Sequence, residues 1–121
     1  MARSYYRDLA VWQKSVELIK KVYGLAESLP KLEEYVLKQQ LKRAVTSVAL
    51  NIAEGKSRKS AKDFAHFLNI SVASLAEVEA ILLICEELGY LSALDSVYTD
   101  IEALGKMLNA LRSRLYTKEQ P

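Results

Sequence analysis

Leu94-Asp95-Ser96-Val97-Tyr98-Thr99-Asp100-Ile101-Glu102-Ala103-Leu104-Gly105-Lys106-Met107-Leu108-Asn109-Ala110-Leu111-Arg112-Ser113-Arg114-Leu115 is the stretch that decides the fold. Its apolar residues, Leu94, Val97, Ile101, Leu104, Leu108, Leu111 and Leu115, fall at alternating spacings of 3 and 4. That period places one side chain per turn on a single helix face, and such a seam is buried when it packs against other helices. Ser92 and Asp95 form a helix-start signal, so the reading is a helix over 92–116 followed by a polar, fraying tail from Thr117.

The same logic, taken back along the chain, gives three more helices. Ser60 with Asp63 opens a helix over 60–88 whose core line is Phe64, Leu68, Ser71, Leu75, Val78, Leu82 and Cys85, with Gly89 as its stop. A helix over 35–54 runs through Leu37, Leu41, Val45, Val48 and Ile52 to a stop at Gly55. The first helix, over 8–28, takes Asp8 as its N-cap and Trp12, Val16, Ile19, Tyr23 and Ala26 as its inward line, and it ends before Pro30. Short connections make consecutive helices antiparallel. The expected fold is all-α, an antiparallel up-down-up-down four-helix bundle in one domain over residues 1–121.

Composition narrows the function classes. A chain of 121 residues holds one core without metal or disulfide staples. Its one cysteine, Cys85, has no partner for an intramolecular bridge, and no secretory signal pattern opens the chain, so a cytoplasmic location is expected. The longest uninterrupted apolar run, Ala80 to Cys85, falls short of the roughly 20 residues of a membrane span, and no membrane partner is expected.

Net charge is only +2, yet it is unevenly placed. Lys38, Lys42, Arg43, Lys56, Arg58, Lys59 and Lys62 face one acid, Glu54, between residues 38 and 62, whereas residues 63–102 hold eight acids and no lysine or arginine. The seven bases are the candidate phosphate or nucleic-acid contacts. Four of them surround the start of the third helix, where free backbone N–H groups favour an anion. No aromatic residue is interleaved with them for base stacking.

There is also more apolar surface than one bundle uses. The first helix has a second line, Val11, Leu18, Val22, Leu25 and Leu29; the second is small or apolar at Ala49, Leu50 and Ala53; the third adds Ile70, Ile81, Ile84 and Leu88. A bundle helix needs one stripe a little over 100° wide, so these are read as a subunit interface. A polar line on the second helix, Gln40, Arg43, Ser47, Asn51 and Glu54, reads equally as solvent-facing or as part of a polar interface.

The sequence holds no recognisable catalytic pattern. A di-iron bundle uses two Glu-x-x-His motifs, and the chain has a single histidine, His66, so no metal or cofactor is expected. Cys85 lies on the core line and reads as a small buried hydrophobe. Gly55-Lys56-Ser57 imitates the end of a P-loop, but it follows a helix and Leu50 stands where the first glycine belongs.

Several strings are recognisable together: Asp8-Leu9-Ala10-Val11-Trp12-Gln13-Lys14, Asn51-Ile52-Ala53-Glu54-Gly55, Arg58 to Phe64 with Phe67-Leu68, Ser74-Leu75-Ala76-Glu77, and Leu88-Gly89-Tyr90-Leu91. In that order they resemble the bacterial four-helix bundle family that includes proteins encoded in intervening sequences of 23S ribosomal RNA genes. The resemblance implies a ring-shaped homo-oligomer, a pentamer, with no enzymatic activity. It also implies kinship with the accessory protein of diversity-generating retroelements, which binds nucleic acid and reverse transcriptase, and hence RNA or DNA as a partner here. The chain departs from the pattern at Ala49 and Leu50, where proline and serine are usual; Ala49 keeps the second helix straighter and Leu50 makes its outer side more apolar. The expected function is a non-enzymatic oligomeric bundle that binds RNA or DNA through the basic cluster, with a protein-interaction scaffold as the alternative.

Overall fold

The computed structural model describes residues 5–119. It contains α1 (Ala10–Ala26), α2 (Leu37–Lys56), α3 (Ala61–Glu87) and α4 (Asp95–Glu119), with short 3-10 turns at Tyr6–Asp8 and Lys31–Glu33. Among the described residues there is no strand. Each helix packs on its neighbour in the chain, and α4 closes the bundle against α1.

Side-chain bonds fix the antiparallel pairing. Between α2 and α3, Ser71 Oγ donates to the Val48 carbonyl at 2.9 Å, and the Ser47 and Ser74 hydroxyls meet at 2.9 Å. Between α3 and α4, Tyr98 Oη donates to Glu86 at 2.6 Å near one end, and Arg112 donates to Asn69 at 2.8 Å near the other. Burial first, and then the Glu86 carboxylate, push the Tyr98 phenol well above its ordinary range. Lys21 and Asp100 pair across α1 and α4.

The core follows the expected lines on α2, α3 and α4. Leu41, Val45, Val48, Ile52, Leu68, Val78, Leu82, Cys85 and Leu108 are fully buried. On α1 the expectation is reversed except at its end. Val11, Leu18 and Val22, with Leu29 just beyond the helix, are buried, while Trp12, Val16 and Ile19 are half-buried and Tyr23 is exposed; Ala26 of the expected line is buried and Leu25 of the other is half-buried. Two adjacent apolar lines have the same 3-4 spacing, so periodicity alone cannot say which turns inward. The ring-bearing line keeps its polar tips at the rim, and the slimmer aliphatic line enters the core.

The helix ends also differ from expectation in instructive ways. Asp8 closes the first 3-10 turn, and Leu9 precedes α1 without a side-chain cap. Val36 takes φ −122° and ψ −95°, outside helical values, so α2 starts at Leu37 instead of 35. Ser60 does cap α3, accepting the Asp63 N–H at 3.0 Å. Ser92 does not open α4, because Ala93 is left-handed at φ 57° and the helix starts only at Asp95. At its other end α4 continues past 116 to Glu119.

Gly89 ends α3 as expected. It is left-handed at φ 75°, and the Tyr90 and Gly89 N–H groups return to the Cys85 and Glu86 carbonyls, both at 2.9 Å. Gly55 has a different role from the one expected. It sits inside the last turn of α2, where an added Cβ would lie 2.8 Å from both Phe64 and Phe67. Glycine here allows α2 and α3 to approach closely.

Two substitutions test this account in opposite directions. Gly55→Ala destabilises the fold by about 1–3 kcal/mol through overpacking, whereas Ala93→Gly stabilises it by about 1 kcal/mol by relieving the left-handed strain. Urea unfolding followed by circular dichroism measures both.

Candidate interaction surfaces

The turn between α2 and α3 forms a basic end. Arg58 places Nη2 2.7 Å from Glu54 Oε2 and lies over the Phe67 ring, 4.7 Å from its centroid. His66 meets the edge of the same ring at 5.4 Å. Lys59 and Lys62 are exposed and Lys56 is half-buried; Lys56 and Lys59 make no ion pair among the described residues. Aromatic side chains therefore do stand among these bases, contrary to the sequence reading. Phe67 and His66 lie one to two helical turns into α3, and only the antiparallel fold brings them back over Arg58.

The seven candidate bases do not form one cluster. Lys38 lies 18 positions before Lys56 on the same helix, which at 1.5 Å per residue is about 27 Å away. It pairs instead with Glu34 at 3.0 Å and Glu27 at 3.1 Å, and Lys42 pairs with Glu27 at 2.8 Å. These bonds hold the Glu27 carboxyl below its usual range, chiefly the hydrogen bond from Lys42 and then that from Lys38. Arg43 is exposed between the two ends of the helix. Closeness in sequence along one straight helix becomes distance in space, so Lys38 and Lys42 stand apart from the turn, paired with acids towards the opposite end.

The second surface is the outer face of α3. Ala73, Ala76, Ala80, Leu83, Ile84 and Leu88 are exposed, at helical spacing, with Glu77, Glu79 and Glu87 beside them. Leu83 and Ile84 are each 47% exposed, Leu88 54% and Leu50 on α2 66%. By length and composition α3 is apolar enough to cross a membrane, with an 18-residue stretch of mean hydropathy 1.8. Its other side, however, supplies Phe64, Leu68, Leu75 and Leu82 to the centre of the bundle.

Of the twelve residues read as an interface, Val11, Leu18, Val22, Leu29, Ala49 and Ile81 are buried within the chain itself, because the bundle buries wider helix faces than one stripe. Leu25, Ala53 and Ile70 are half-buried, and Leu50, Ile84 and Leu88 are exposed. Leu83 escaped the sequence reading although the run from Ala80 to Cys85 signalled it. Consecutive apolar residues on a helix cannot all face one side.

The model for 23S rRNA-intervening sequence proteins matches residues 7–110, a span that includes both surfaces. The chain belongs to that family. It is also similar to a solved structure of a protein with unknown function from the S23 ribosomal protein family of Bacteroides thetaiotaomicron. The two are 27% identical with a TM-score of 0.78, over 85% of this chain and 98% of that one. No curated protein matches.

In this member of the family, groups that do chemistry elsewhere are engaged structurally. Cys85 is fully buried, and burial first, then the Glu33 carboxylate, push its thiol up. Glu33 is buried and accepts the Tyr90 hydroxyl at 3.0 Å. No three His, Cys, Asp or Glu side chains among the described residues are grouped as a metal site requires. A cleft of about 290 Å³ between α1 and α4 is crossed by the Lys21–Asp100 pair and floored by Leu18 and Leu104.

The thiol gives a direct check on core integrity. Cys85 is expected to resist a water-soluble disulfide reagent at pH 8 in the folded protein and to react fully once denaturant is added, read by thiolate release. Rapid labelling without denaturant would place Cys85 outside the core.

Proposed function

We propose that this family member is a non-enzymatic, cytoplasmic helical module that assembles with copies of itself, as a closed ring of five, and contacts RNA or DNA phosphates through its basic end. The observation that supports it most is α3. A helix that is apolar nearly all round belongs in an interior, and the single chain covers only one side of this one. Leu83, Ile84 and Leu88 are then the side chains that a second copy would cover.

Charge favours a head-to-tail contact over a twofold one. Two copies joined antiparallel by α3 alone would bring Glu77 and Glu79 of each near those of the other. Lys20 is exposed on the outer side of α1, so α3 of one subunit against α1 of the next would set it against Glu77 or Glu79. A heterologous contact of that kind closes into a ring when its rotation permits. The ring would repeat the basic end around its rim, multiplying weak phosphate contacts.

A second reading, a scaffold for a protein partner, has its own support. Leu32, Tyr35 and Val36 in the α1–α2 connection are 73%, 80% and 56% exposed, at the opposite end from Lys56 to Lys62. Capture of a defined protein partner that Tyr35→Ser abolishes, with no nucleic acid retained, would favour it.

Light scattering at micromolar concentration tests the assembly. The expected result is a multimer that Ile84→Glu converts to a folded monomer; a wild-type monomer would remove the claim. Nucleic-acid contact is tested by titrating binding against salt. Neutralising Arg58, Lys59 and Lys62 should flatten the slope of log K against log salt by about 2–3, and an unchanged slope would count against this end.

A further inference from the structure

Arg58 is held in a way that an ordinary solvated arginine is not. Its guanidinium pairs with Glu54 at 2.7 Å, and its central carbon lies over the Phe67 ring, 4.7 Å from the centroid, yet the side chain is still 45% exposed. Phe67 itself has little freedom, because Gly55 brings the α2 backbone against its Cβ. The result is a planar cation held against a ring and a carboxylate and still open to solvent. His66, exposed and edge-on to Phe67, adds a second flat group beside it.

We propose that this end of the bundle prefers single-stranded to duplex nucleic acid, with an unpaired base stacking on the open face of Arg58. The proposal rests on the reading that the basic end contacts nucleic acid, and it adds what that contact selects. A fixed guanidinium plane is a stacking platform for any base, whose π-face is free only in a single strand. In a duplex both faces of every internal base are already occupied. Phosphates are offered by either form, so charge alone does not choose between them.

Charge does not make the choice here. Besides Lys56, Arg58, Lys59 and Lys62, with Glu54 and Asp63, the same end carries Arg7 ahead of α1 and Arg112 and Arg114 towards the end of α4, and Glu54 is already engaged with Arg58. These bases attract either form, so the preference for a single strand comes from the exposed guanidinium.

The test uses the full-length protein and fluorescence anisotropy with a mixed-sequence single strand of about 20 nucleotides and its duplex, as RNA and as DNA. The expected wild-type result is single-strand binding about ten-fold tighter than duplex binding at equal salt. Arg58→Lys keeps the charge and removes the plane, and should bring the two affinities to within about two-fold, chiefly by weakening the single strand. Phe67→Leu should do the same, whereas Lys59→Gln should weaken both forms alike. Arg58 is on the surface, so its variant keeps the test valid if Phe67→Leu fails to fold.

Equal wild-type affinity for strand and duplex, or an undiminished preference in Arg58→Lys, overturns the stacking proposal and leaves nucleic-acid contact standing. Absence of binding to all four probes at low salt overturns both. The RNA and DNA arms identify which single strand is the better ligand.

Discussion

The close approach of α2 and α3 is the constraint on which the rest depends. It is made by small residues: Gly55 against Phe64 and Phe67, Ser71 against the Val48 carbonyl, and Ser74 against Ser47. Larger side chains at these points would force the helices apart, because packed interiors have no slack for an added methyl group. The serines satisfy their hydroxyls within the contact, so the approach leaves no buried side-chain polar atom unpaired among the described residues.

Two consequences follow from that contact. The rotation of α3 is set by the side that meets α2 and the core, Phe64, Leu68, Ser71, Leu75, Val78 and Leu82, and this turns Ala73, Ala76, Ala80, Leu83, Ile84 and Leu88 outward. The contact also sets Phe67 against Arg58, so that one base of this end rests on an aromatic ring. The surfaces proposed for self-association and for nucleic-acid contact therefore share one structural origin. They lie on different parts of the molecule, so a ring can form without covering the basic turn.

Most of the fold was legible in the sequence, because helix seams repeat many times. The 3-4 spacing on α4 held at every turn from Leu94 to Leu115, and Ser60 and Gly89 marked real ends. Single-residue signals were less secure. Ser92 was a sound start signal that the left-handed Ala93 displaced, and Gly55 looked like a stop when its meaning lay in a contact with α3. On α1 two lines of equal period left the inward face undetermined until α2 and α4 were in place. The candidate surfaces were legible only in part for the same reason. Lys38 and Lys62 look like one basic stretch in the sequence and stand at opposite ends of the bundle. Phe67 is distant from Arg58 by ordinary sequence reading and lies against it in the fold.

The central claim is that the outer face of α3 is an interior surface of the assembled protein. Hydroxyl-radical footprinting of the native protein at micromolar concentration tests it directly, with Leu32 as an internal reference because it is 73% exposed in the single chain. Leu83, Ile84 and Leu88 should be oxidised far less than Leu32, as side chains covered by a neighbouring subunit are. Oxidation of all three at rates in keeping with their exposure in the isolated chain would contradict the account.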